Sequence, residues 1–275
     1  MGQFFCLLIC LRTIPSRLMA ITALEFMVLS SFREHGLLPL KPKVLELGES
    51  NWYGDVSMDQ LEEEIRRLGS DPVQRDRYLL QLKQALAASR PGLLYELAQI
   101  FFAAVVQTGE YSAIDPGTPG SRYKFDLNQP LSIPEQFDLT LNLGTAEHIF
   151  NVYQFFKTAH ECTTVGGLMM HSSPFTGWPD HGFYNFQPTF YFDLARANGY
   201  EILSFICGKL KPFEYVQVRN HDEIPQLIKL GKIPAGSHIN VMFRKTTAGE
   251  FAAPMQAYYA GALSKESKRL WHELR

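Results

Sequence analysis

Apolar and polar positions divide the chain into short apolar runs and longer stretches of helical period. Over 16–35, Leu18, Ile21, Leu24, Met27 and Val28 fall at roughly helical spacing, with Ser16 placed to cap the start. Gly36 ends this helix, and Pro39 and Pro42 forbid its continuation. Residues 43–48 read as a buried strand closing in a Gly turn. Residues 55–89 are charged and helical in pattern. Leu61, Ile65 and Leu68 form one apolar face, Leu79, Leu82 and Leu86 another, and Pro72 and Pro91 punctuate them. Residues 92–107 are nearly all apolar and predict a buried helix.

Strand and loop signals then alternate. Residues 111–115 run into a Pro-Gly turn, 123–127 form a shorter strand, and 136–142 a third that ends near Gly144. A helix is predicted over 146–163, a strand over 168–171 after Gly166-Gly167, and a helix over 188–197 with Pro at its start. Late strands follow at 200–207 and 238–244, and a tail helix at about 254–271. Continuously apolar strands alternating with helices predict an α/β fold: a doubly wound, mostly parallel sheet covered on both faces. In such sheets the ligand crevice lies at the carboxyl ends of the strands.

Composition narrows the function classes. The 26 Lys and Arg nearly balance 28 Asp and Glu, which argues against a nucleic-acid binder that must neutralise phosphates. Four Cys in 275 residues make no disulfide scaffold, and 13% aromatic residues are too many for a disordered chain. Cys6 and Cys10 lack nearby partner ligands, and Cys162 and Cys207 are isolated in apolar surroundings. All four are expected to be free thiols in a reducing cytoplasm. The apolar run 4–11 is shorter than the ~20 residues that span a bilayer. With no basic residue before it, it reads as a buried segment or an upstream start-site extension rather than a signal. The expectation is a cytoplasmic protein without membrane or nucleic-acid partners, with room for a homodimer. Its parts are an N-terminal helical extension (1–42), a core (43–250) with a helical insertion at about 55–107, and a C-terminal helix (251–275).

Candidate chemistry sits at the strand ends. Glu46 and Gly48, followed by Glu49, close the first strand, where Gly lets a ligand approach the backbone and an acid can hold an ammonium or hydroxyl group. Asp115 closes the second and could accept from two vicinal ribose hydroxyls or simply form the turn. Asp126 could take an adenine amine with Leu127 against the ring, or stand as an exposed loop acid. Asn142, Leu143, Gly144, Thr145, Glu147 and His148 follow the fourth strand. His171 ends the fifth, and a loop then carries Trp178, Asp180, His181 and Tyr184.

The motifs at 44–48, 113–115, 125–127, 137–142 and 166–170 together resemble the class I S-adenosylmethionine-dependent methyltransferases of small-molecule type. The resemblance implies a Rossmann-like, seven-stranded sheet, S-adenosylmethionine as cofactor and a small polar or sugar-like methyl acceptor. It assigns the cofactor to Glu46, Gly48, Glu49, Asp115, Asp126, Leu127, Asn142 and Leu143. The chain departs from the family's first motif, since Glu49 to Tyr53 precede the next glycine, Gly54. The stretch between the first two strands is also longer than one helix, which suggests a lid or partner surface.

Methyl transfer to a hydroxyl or ammonium needs alignment and a base, and His is well suited near neutral pH. His171 or His148 is the expected base, with Glu147, His181, Tyr184 and Trp178 around the substrate. These His could equally tie loops together. With Glu147 they would suit a transition metal, but their spacing fits no compact motif and no metal ligand is assigned. Two further readings stay open. One is a reductase using NAD, disfavoured because no Gly-x-Gly-x-x-Gly follows the first strand. The other is a catalytically inactive methyltransferase-like protein that binds a partner.

Overall fold

The computed structural model describes residues 20–273 apart from 70 and 119, with the backbone alone at 272. The apolar run 4–11, Cys6, Cys10 and Ser16 lie outside the described residues.

A short strand, β1 (Ala20–Ile21), leads into α1 (Ala23–Glu34). The helix starts later than the periodicity implies. Its cap is Thr22, whose hydroxyl accepts from the Leu24 amide at 3.2 Å while Glu25 accepts from the Thr22 amide at 2.9 Å. This reciprocal capping satisfies two amides that the helix itself cannot. β2 (Lys43–Leu47) follows, then β3 (Asn51–Trp52), which pairs in parallel with β1.

Three helices come next: α2 (Met58–Leu68), α3 (Pro72–Ala88) and α4 (Leu93–Phe101), the last running into a π-helical turn, Phe102–Val106. These helices do not form a separate lid. With α1 they supply one hydrophobic layer, in which Leu61, Ile65, Leu79, Leu82 and Leu97 pack with Val44, Leu139, Leu141 and Met170 of the sheet. Each of α2 and α3 turns an apolar stripe inward, so the segment is the covering face of the sheet.

The sheet continues through β4 (Glu110–Ile114) and β5 (Phe137–Leu143), then α5 (Val152–Cys162) and β6 (Thr163–Pro174). Next come α6 (Pro188–Asn198), β7 (Tyr200–Lys209), β8 (Glu214–Gln217), α7 (Ile224–Lys229) and β9 (His238–Lys245). The predicted helix over 146–163 is split: residues 146–148 form a single 3₁₀ turn before α5. The tail is two short helices, α8 (Ala257–Ala262) and α9 (Lys265–Glu273), rather than one.

The described residues form a doubly wound α/β sheet of seven strands in the order β4-β2-β5-β6-β9-β7-β8. β4, β2, β5 and β6 are parallel neighbours, whereas β9 runs antiparallel between β6 and β7, and β8 is antiparallel to β7. The expected strand at 123–127 is reduced to one bridge, Ile114 with Tyr123. Asp126 Oδ1 accepts from the Asn128 amide at 2.9 Å and turns the chain there. β8, at the opposite edge, brings the count to seven.

Alternate residues of β5 and β6 face opposite layers. Leu139, Leu141, Leu168 and Met170 join the α1–α4 side, while Met169 joins Phe155, Ala159 and Tyr191 on the α5–α6 side. Cys162 and Cys207 are buried free thiols, each pushed up to about 12 by burial. Among the described residues no helix is long and apolar enough to cross a membrane. The chain leaves β2 towards β4 on one side and returns as β5 on the other, so the switch point lies between the carboxyl ends of β2 and β5.

Candidate functional site

The end of β2 makes the first half of the site. Gly48 adopts φ +88°, a conformation that favours glycine, and its amide donates to the Ile114 carbonyl at 2.9 Å. The chain therefore turns tightly over the end of β4. Asp115 receives three amides there: Gly117 at 2.6 Å and Thr118 at 3.2 Å on Oδ1, and Glu49 at 3.2 Å on Oδ2. It forms the turn and also joins the ends of β4 and β2.

Glu46 is fully buried. Its Oε2 accepts from the Ser50 amide at 3.1 Å and from the Tyr111 hydroxyl, while Oε1 has no partner. Glu49 Oε2, Ser50 Oγ and Thr118 Oγ1 are likewise buried without partners. Burial, reinforced by the charge of Glu49, pushes the Glu46 carboxyl up to about 7. Tyr95 of α4 senses the same group. Burial first, then the charges of Asp115 and Glu49, hold its hydroxyl above the ordinary range. The inserted helices thus reach the strand ends, a contribution that no motif in 55–107 signalled.

Glu46 gives the fold a pH dependence. An acid whose folded pKa is raised takes up a proton on folding, so its full stability is present below about pH 4.5 and is lost as pH rises through about 7. The loss approaches about 3 kcal/mol. Glu46→Gln should therefore raise urea-unfolding stability at pH 8 and barely change it at pH 5. An equal effect at both pH values would contradict this.

The second half lies beyond β5 and β6, around a cavity of about 290 Å³. Asn142 Oδ1 accepts from the Thr145 and Ala146 amides at 3.1 and 3.0 Å, which starts the 3₁₀ turn carrying Glu147 and His148. Thr145 Oγ1 donates to the Leu47 carbonyl at 2.5 Å and pins this turn to the end of β2. Gly144 turns the chain ahead of Glu147 at φ +88°, a conformation that favours glycine. The Glu147 carbonyl accepts from the Phe183 amide at 2.7 Å, which anchors the loop bearing Trp178 and His181.

Leu143, Glu147, His148, Trp178 and His181 line this cavity. Glu147 is 1% exposed, with Oε1 3.7 Å from His181 Nε2 and Oε2 unpartnered. The His148 and His181 rings lie 5.2 Å apart, as do those of Trp178 and His181. Donor atoms of Glu147, His148 and His181 all fall within 4.8 Å of one another. The sequence made His148 a candidate base and placed Glu147 and His181 around the substrate, with no metal ligand assigned there.

Two of the residues expected to activate or bind the acceptor do not belong to the cavity. His171 is a core histidine, packed against Phe156 at 4.9 Å and Tyr191 at 6.1 Å between ring centres. Its Nδ1 meets Asn142 Nδ2 at 3.4 Å, and burial pushes its pKa down to about 3. Placement on β6 turned it into the α5–α6 layer instead of the crevice, so it is no candidate base. Tyr184 is directed away: its hydroxyl donates to the Phe150 carbonyl at 2.9 Å and its ring packs on Phe186. Asp126 stands in its exposed turn with Asn128, while Leu127 is buried in the α5–α6 layer.

Other lining residues were not foreseen. His238, the first residue of β9, enters because that strand is antiparallel, which sets its start beside Pro174 at the end of β6. Its ring meets Trp178 edge-on at 4.4 Å, and burial pushes its pKa down to about 4. Its Nε2 and the Trp178 Nε1 are buried without partners. Thr22, Glu25 and Tyr53 close another side, and Glu25 accepts from the Ser172 hydroxyl at 2.5 Å, fastening α1 to β6.

No known family profile matches the chain, and no curated protein does. Among solved structures, it is similar to a putative methyltransferase of Bacillus halodurans, with 12% identity, 80% of this chain and 99% of that one covered, and a TM-score of 0.43. It is similar to an O-methyltransferase of a Brevibacillus brevis polyketide synthase, with 12% identity, 80% and 71% covered, and a TM-score of 0.38. A third is the 1,6-didemethyltoxoflavin N1-methyltransferase of Burkholderia thailandensis, with 12% identity, 81% and 78% covered, and a TM-score of 0.33. At such identities and scores, none of these proteins lends its activity to the chain.

Proposed function

We propose that the chain is an S-adenosylmethionine-dependent methyltransferase that acts on a small polar acceptor held in the cavity beyond β5 and β6. The observation that carries this reading is the set of unpartnered buried oxygens at the switch point: Glu46 Oε1, Glu49 Oε2, Ser50 Oγ and Thr118 Oγ1. Buried polar atoms are ordinarily paired, so such a cluster suits a polar, cationic ligand. Glu46 and Glu49 would balance the ammonium and sulfonium charges, and Asp115 and Glu49 would receive ribose hydroxyls. The same acids would repel a dinucleotide pyrophosphate, which disfavours a reductase. Leu143 ends β5, one of the two strands at the switch point, and also lines the cavity.

Bound there, S-adenosylmethionine supplies an activated methyl group. The protein aligns the acceptor and removes its proton. Acceptor activation is assigned to Glu147, His148 and His181, with His171 released from that role. Trp178 Nε1 offers a donor to the acceptor, and its ring a flat wall. A cavity of about 290 Å³ fits a small metabolite better than a polymer.

S-adenosylmethionine and S-adenosylhomocysteine should each raise the melting temperature by several degrees at saturating ligand. Calorimetry at pH 7 should also show proton release with the cationic cofactor, as Glu46 ionises. No shift and no heat at millimolar ligand would overturn the reading and leave a methyltransferase-like binding protein.

A further inference from the structure

We infer that Glu147, His148 and His181 bind one divalent transition-metal ion at the acceptor cavity. One donor atom from each lies within 4.8 Å of the other two. Donors bound at about 2.1 Å to one ion stand roughly 3–3.5 Å apart. Small side-chain rotations would gather them.

Two further observations point to a ligand there. Glu147 is 1% exposed and its Oε2 has no hydrogen-bond partner. An unpaired buried carboxylate oxygen is costly unless a cation or donor meets it. His238 Nε2, on the same cavity wall, is buried and unpartnered too. A glycine keeps the donors uncrowded. A Cβ at Gly182 would stand 2.8 Å from the Glu147 carbonyl and 3.1 Å from His148 Nδ1.

The donor set selects the ion. Imidazoles with one carboxylate suit zinc, manganese, iron(II) or cobalt, whereas magnesium and calcium favour oxygen ligands throughout. Three protein donors leave at least one position for an oxygen of the acceptor, as in catalytic rather than structural sites. An acceptor hydroxyl on the ion would lose its proton more readily. That role rests on the methyltransferase reading; binding of the ion does not.

The test uses the whole protein, stripped with a chelator and titrated with cobalt(II). One equivalent should give visible absorption bands, with micromolar affinity. Glu147→Gln and His181→Ala should each weaken binding at least tenfold. His35→Ala, which removes an exposed histidine just after α1, should not change it. Wild-type circular dichroism is required of each variant, and His148→Ala replaces Glu147→Gln should the latter unfold. No bands in folded wild type, or equal affinity in the cavity variants and wild type, would overturn the site. S-adenosylhomocysteine binding is measured on the same stripped protein. Cofactor binding without cobalt binding overturns the metal site alone. Cobalt binding without cofactor binding overturns the methyltransferase reading alone.

Discussion

Glu147→Gln should lower methyl transfer by about 10²–10⁴-fold, the range for losing a positioned acid–base group. It should leave S-adenosylhomocysteine affinity within twofold. Glutamine keeps the shape of a side chain that is 1% exposed, so packing survives. It cannot offer His181 a carboxylate across the 3.7 Å contact, and its amide is a poor ligand for a cation. The acids proposed for the cofactor, Glu46 near the end of β2 and Glu49 and Asp115 in the turns after β2 and β4, are untouched. The measurement needs an acceptor, found by screening sugars and polar metabolites with labelled cofactor. His171→Asn is the contrast. It should cost stability, because the ring packs on Phe156, Tyr191 and Phe243, without moving the pH profile of turnover. A Glu147→Gln enzyme as fast as wild type would remove this cluster from the chemistry.

The sheet was legible because its strands are buried on both faces, and such strands read as unbroken apolar runs. The runs at 43–48, 136–142, 200–207 and 238–244 each lie within a residue or two of β2, β5, β7 and β9. What failed was structure decided by side-chain bonds or by pairing between distant segments. The Asx turn at Asp126 ended a strand that apolar pattern alone would continue. Thr22 and Glu25 set the start of α1 in place of the periodicity. Two-residue strands such as β1 and β3 carry no periodic signal and exist only through each other.

The candidate site divides in the same way. Glu46 lies within β2, and Gly48, Glu49 and Asp115 closely follow β2 and β4, so locating those strands located them. His171 also sat at a predicted strand end, but β6 extends to Pro174 and carries that position into the sheet. Whether a histidine next to a strand end faces a crevice or a core depends on where the strand stops, which period alone does not give. His238 required knowing that β9 is antiparallel, since only then does the start of a strand lie among the ends of the others. One signal could have found it: a Gly-Ser-His run opening the last strand, once that strand is inserted beside β6.

Asp115→Ala should weaken S-adenosylhomocysteine binding by about 100-fold and destabilise the fold by about 2–4 kcal/mol. Both effects follow from one carboxylate with two duties. Three amides, from Glu49, Gly117 and Thr118, lose their acceptor. Each unsatisfied buried donor costs about 1–3 kcal/mol, and water admitted by the smaller side chain relieves part of that. The same change removes the proposed ribose acceptor, whose two charge-assisted bonds are worth roughly 3 kcal/mol together. Asp115→Asn separates the duties. Its one carbonyl oxygen can still serve Gly117 and Thr118, so stability should largely return, but the lost charge should keep cofactor binding weak. Urea denaturation and calorimetric titration of both variants check the pair. An Asp115→Ala protein that binds S-adenosylhomocysteine like wild type would place the cofactor elsewhere. Loss of affinity in Asp115→Asn without loss of stability is what a ligand contact at the end of β4 requires, because a purely structural turn residue would lose both together.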